Sequence, residues 1–159
     1  MGQARRASRG RWTGDERGQS ALEFVFVLPF VFVVIFLVVE ATSILKTWML
    51  LENASREGAR AAAVQKPQSE VCTATRSSGG ETLSGVACGG GGGSCASSPS
   101  GGTGITVLNA QGAPGTPTCV LISYTYTYAT PLMNLVSAVS GGWVPPAITM
   151  NAKTVMRLE

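Results

Sequence analysis

Four cysteines, a few widely spaced carboxylates and no histidine are what this chain offers for chemistry. Its only aspartate, Asp15, stands ahead of a long apolar run. A serine or cysteine nucleophile needs a base held beside it, and none of the usual arrangements is present. The later glutamates are scattered, with no pair that has a reason to meet for acid–base work. A glycine run, Gly89 to Gly93, has no strand ahead of it and no Lys-Ser or Lys-Thr behind it, so it does not read as a phosphate cradle. Zinc binding would want closer cysteine pairs and the help of histidine. No enzyme activity, cofactor or metal is expected. Two kinds of chemistry remain. Cys72, Cys88, Cys95 and Cys119 are disulfide candidates. Glu23 and Glu40 bracket sixteen residues, Phe24 to Val39, that include no charged or strongly polar side chain.

Such a run is a membrane-spanning helix or the core of a secretion signal, being too apolar all round for one face of a soluble helix. At ~1.5 Å per residue, Gln19 to Glu40 extends ~32 Å, close to the hydrocarbon thickness of a bilayer. Pro29 within it removes one helical hydrogen bond, which membrane helices tolerate. Arg5, Arg6, Arg9, Arg11 and Arg17 crowd the preceding residues, against Asp15 and Glu16. This excess holds the N-terminus in the cytoplasm and exports everything after Lys46. All four cysteines then lie where disulfides persist. The net charge of +3 does not point to nucleic acid, because the basic residues build no single face. Glu23 lies one turn inside the cytoplasmic boundary, close enough to snorkel. Glu40 has two placements: at the outer interface, or inside a longer span anchored by Lys46 and Trp48.

The elements that carry these residues follow in order. Residues 1–18 are a short basic tail or a leader removed during export. Residues 19–66 read as one helix that spans the membrane and projects beyond it, ended by Lys66-Pro67. On its later part Glu52, Arg56 and Arg60 share one face. Ala54, Gly58 and Ala62 form a ridge of small residues that lets another helix approach closely. Residues 67–104 read as a flexible linker or loop, since eighteen of the twenty-eight residues from Ser77 to Gly104 are Gly or Ser. Residues 105–159 carry the β signal. Ile105 to Leu108 and Cys119 to Ala129 are strands, Leu132 to Val139 is a turn or two of helix, and Ile148 to Leu158 is a third strand. The alternation puts Tyr124, Tyr126 and Tyr128 on one face, read as the face packed on the helix rather than an adhesive surface. The fold class expected is α+β: a long N-terminal transmembrane, pilin-like helix, then a small disulfide-linked, Gly/Ser-rich, β-containing extracytoplasmic domain. Of three possible cysteine pairings, the nested one, Cys88 with Cys95 and Cys72 with Cys119, suits the order of the elements.

The stretch Arg17-Gly18-Gln19-Ser20-Ala21-Leu22-Glu23-Phe24 resembles a type IV prepilin processing site. With Leu28-Pro29, Glu40 and the motif Ala54-Ser55-Arg56-Glu57-Gly58-Ala59-Arg60, the segment from Arg17 to Ala63 is similar to the TadE-like family. Those proteins are pseudopilins of the tight-adherence (Flp-type) pilus machinery. The resemblance implies cleavage by a prepilin peptidase between Gly18 and Gln19, leaving Glu23 as the fifth residue of the mature chain. The new α-amino group at Gln19, on the same or a neighbouring subunit, would neutralise Glu23 in lipid. Glu23 and Glu40 are the expected charge-pairing groups of membrane or filament, and the ridge Ala54, Gly58, Ala62 the expected helix-packing surface. The implied partners are the peptidase, other pilins or pseudopilins and the inner-membrane assembly platform. Gln19 replaces the large apolar first residue of many pilins, and the chain reads as a minor component rather than the main shaft subunit.

Two rivals stand beside that reading. An uncleaved single-pass anchor would carry an exported envelope or surface-binding domain. An ordinary secreted protein would be cut near Val39-Glu40-Ala41, although Glu40 and the unbroken helix beyond it oppose this. The three readings place the mature N-terminus at Gln19, at the original start and at Thr42.

Overall fold

The structure, a computed structural model, describes residues 15–96, 102–141 and 143–159. Most of the expected leader, residues 1–14, lies outside them. The chain divides into two compact units, Met1–Val38 and Val39–Glu159. Helix α1 (Asp15–Ala63) is 49 residues long and contains Pro29 without interruption. In the first unit it is the only described element, and none of the side chains from Phe24 to Val38 is buried. This stretch has the length and composition to cross a membrane.

The second unit has a core of its own. After α1 come helix α2 (Gln68–Leu83), strands β1 (Cys88–Gly91), β2 (Gly104–Leu108) and β3 (Pro117–Thr127), helix α3 (Pro131–Val139) and strand β4 (Ala147–Arg157). The strands form one sheet in the order β1-β2-β3-β4. The β1–β2 pair is parallel and the others antiparallel, with Ile105 opposite Ile122 and Ile122 opposite Ala152. Period-two alternation sends Ile105, Val107, Val120, Ile122 and Ala152 into the core, where they join Leu51, Ala54, Ala59 and Ala62 of α1 and Val71 and Leu83 of α2. Tyr126 and Tyr128 are buried in the same core, edge to face at 6.4 Å. The expected α+β class is the observed one.

The end of α1 is a capping motif rather than a proline stop. Gln65 adopts a left-handed φ of 54°. Its N–H bonds the Ala62 carbonyl, and the Lys66 N–H reaches back to the Ala61 carbonyl, the Schellman pattern. The Gln65 side chain donates to the Glu159 carbonyl at 3.0 Å, and the Glu159 N–H donates to the Ala63 carbonyl. The last residue of the chain is thereby fastened to the end of α1.

Three expectations are corrected. The stretch 67–104, read as flexible linker, contains α2 and β1. The reason is tertiary. Val71, Cys72, Thr75, Gly79 and Leu83 recur on one face of α2 and are all buried, which outweighs the poor helix propensity of Ser and Gly. Gly80, at φ 56°, is the one non-helical residue inside α2. Arg76 steadies the exit, its Nε and Nη2 donating to the Val86 carbonyl at 3.0 and 2.7 Å. The sheet accordingly has four strands among the described residues, where three were expected. Finally, the nested disulfide pairing is replaced by Cys72–Cys88 and Cys95–Cys119. Cys72 sits on the buried face of α2, from which the chain returns directly into β1 at Cys88. Cys119 faces away from Val120 and receives Cys95 on that opposite side. Each bridge ties one part of the Gly-rich stretch to a regular element.

Candidate functional site

Two glutamates on α1 define the site, and they have different surroundings. Glu23 is exposed, in the first unit, one helical turn beyond the exposed Gln19. What the arrangement offers is a carboxylate one turn from residue 19, ahead of a sheath of phenylalanine, valine, isoleucine and leucine.

Glu40 is enclosed within the second unit, at 2% exposure. Its Oε1 accepts from the Tyr126 hydroxyl at 3.0 Å and the Ala129 N–H at 3.2 Å. Its Oε2 accepts from the Thr130 N–H at 3.1 Å and the Thr130 hydroxyl at 2.8 Å. Two carboxylate oxygens thus meet four donors, an arrangement suited to the ionised form. Burial, then the bond to Glu40 and its charge, pushes the Tyr126 hydroxyl above its ordinary pKa, so it remains a donor. The partners come from the end of β3 and the residue that caps α3. Glu40, grouped with Glu23 in the sequence reading as a charge-pairing group, takes neutral donors of its own domain. A buried carboxylate left without partners would be costly, which is the physical reason the fold closes over it.

The motif at 56–60 splits by face. Gly58 and Ala59 are buried, whereas Arg56, Glu57 and Arg60 are exposed. Arg56 lies 3.6 Å from Glu52, an exposed pair that contributes little stability. Arg56, Glu57 and Arg60 border an open groove completed by Ser77 and Ser78 of α2 and Met156 of β4. The small ridge has its partner inside the chain. A Cβ on Gly58 would come within 2.2 Å of Thr75 Oγ1 on α2 and 3.4 Å of Val120 on β3. Ala54 and Ala62 are fully buried on the same face. Beside them the Ser55 and Thr154 hydroxyls, 2.7 Å apart, link α1 to β4. No cluster of metal-ligating side chains occurs among the described residues.

Sequence reasoning named Glu40 and Gly58 but not what surrounds them. Tyr126, Ala129 and Thr130 lie 86–90 residues from Glu40 along the chain. The one available signal was physical: a carboxylate beside an apolar run must find donors somewhere. Gly18 lies in α1, and nothing in the fold bears on cleavage there.

Among the described residues one helix, near the N-terminus, is long and apolar enough to cross a membrane, which is consistent with a single-pass membrane protein. Residues 18–60 match the family model described as TadE-like protein, which covers the processing-like step, the apolar run and the 56–60 motif. No curated protein and no solved structure matches the chain.

Proposed function

We propose, taking the TadE-like segment at residues 18–60 as the premise, that this chain is a minor pilin or pseudopilin of a tight-adherence (Flp-type) type IV pilus system. Phe24–Val39 crosses the membrane once, with the N-terminus cytoplasmic and the domain from Glu40 onward outside. A prepilin peptidase cuts after Gly18. Glu23, one turn from the new α-amino group of Gln19, is then the charge that this group neutralises within lipid or between subunits. The role is structural rather than catalytic, and the partners are the peptidase, other pilins or pseudopilins and the inner-membrane assembly platform.

The observation that carries this reading is the extent of the matched segment. It begins at the Gly18–Gln19 step and ends at Arg60, so one family pattern includes Glu23, Glu40 and the 56–60 motif together. The two disulfides suit an exported domain. Mass spectrometry of the protein from membrane and sheared-surface fractions of its native host provides the test. A mature N-terminus at Gln19, lost in Gly18→Ala, is the expected result. A start at Met1 in both forms removes the processing mechanism and leaves an anchored envelope protein.

A further inference from the structure

Helix α3 is inside out for a domain surrounded by water. Its inward side carries Met133, packed on the core, and Ser137, whose hydroxyl donates to the Val144 carbonyl at 2.8 Å. Leu135, Val136 and Val139 face outward at 61, 39 and 78% exposure, and Trp143 just beyond is 92% exposed. No α3 residue is buried. A surface helix of a soluble domain turns its apolar stripe to the core, and a contiguous exposed apolar patch marks something that binds there.

Three observations select a bilayer as that partner. The first is place. Ala129 and Thr130, immediately ahead of α3, are clipped to Glu40, the residue after the apolar run. The start of α3 is therefore held beside Glu40, the residue that follows the run in sequence. The second is charge. From Thr82 to Ala152 no residue is charged, so no side chain of α3 or its flanks must shed a tightly held hydration shell, and none calls for a charged protein surface. The third is residue type: an exposed tryptophan beside leucine and valine is the composition that settles at the headgroup level of a membrane.

We propose that α3 and Trp143 lie in the outer interfacial layer of the same bilayer that Phe24–Val39 crosses, as a second, non-spanning membrane contact. The inference rests on the membrane-anchored reading above. Because the contact is apolar and carries no cation, it needs no anionic lipid and responds weakly to salt.

The test uses the full chain reconstituted in phosphatidylcholine vesicles with brominated or plain acyl chains. Trp12→Phe with Trp48→Phe leaves Trp143 as the sole tryptophan. A second protein adds Trp143→Phe and Phe30→Trp, placing the reporter in the apolar run. Bromine is expected to quench the Trp143 emission, and Leu135→Ser with Val139→Ser returns it to the plain-lipid value. Quenching of the residue-30 reporter without quenching of Trp143 overturns the interfacial contact and leaves the membrane anchor standing. Quenching of neither overturns both. If Trp143 is unquenched by bromine but shielded from iodide only at high protein-to-lipid ratio, its partner is a second copy of this chain and the lipid contact is wrong.

Discussion

The two parts of helix α1 solve opposite packing problems with the same backbone. From Phe24 to Val38 it carries large apolar side chains, none of them buried by the chain itself. From Leu51 to Ala62 the inward positions are mostly small, and Ala54, Gly58, Ala59 and Ala62 are buried against α2 and the sheet. Lipid adapts to any side-chain shape, so bulk is welcome where acyl chains are the surroundings. A folded partner has a shape of its own, and close approach of helix and sheet demands that side chains be absent. The same contrast governs the two glutamates. Glu23 stands exposed, whereas Glu40 is enclosed by four donors from its own domain.

Substitutions in matched pairs break or sharpen this contrast. The largest effect is expected at the glutamates. Glu40→Ala leaves three buried donors and the part-buried Ala129 N–H without an acceptor and should destabilise the second unit by about 3–4 kcal/mol, while Glu23→Ala should stay within about 0.5 kcal/mol. Denaturant unfolding followed by Tyr and Trp fluorescence measures both, and equal losses would show that Glu40 does not hold the domain. Next comes the ridge. Gly58→Ala drives a methyl group into Thr75 and should cost about 2 kcal/mol, whereas Val33→Ala should leave the melting temperature of the domain unchanged. A tolerated alanine at 58 would mean that α2 can move aside. The smallest effect belongs to the end of the helix. Gln65→Gly relieves a left-handed conformation but gives up the bond to the Glu159 carbonyl, so a net change within about 0.5 kcal/mol is expected in the same melts. A loss well above that would make the C-terminal fastening more important than the cap.

Much was legible before any fold was seen, and it was legible for local reasons. An apolar run bracketed by Glu23 and Glu40 declares a helix suited to lipid without reference to the rest of the chain. Alternation over Val120, Ile122, Tyr124 and Tyr126 gave β3, and Gly58 between Ala54 and Ala62 announced a close approach. The misreadings share a cause. In α2, Ser77, Ser78, Gly79 and Gly80 favour coil, and only the burial of Val71, Thr75 and Leu83 makes the segment helical. The cysteine order permitted three pairings, and the choice among them waited on α2 and β1 existing at all.

The sequence by itself determined what each segment needs: lipid-compatible surroundings for Phe24–Val39, donors for Glu40, a close neighbour for Gly58 and oxidising surroundings for four cysteines. Only the tertiary structure decided which groups meet those needs. Tyr126 and Thr130 close on Glu40, Thr75 fits over Gly58, and Cys72 and Cys95 find Cys88 and Cys119. Burial, charge and chain flexibility are properties of residue types and can be read in order along the chain. A partner is set by distance in space, and for groups 86–90 residues apart that distance exists only once the sheet has formed and packed against its helices.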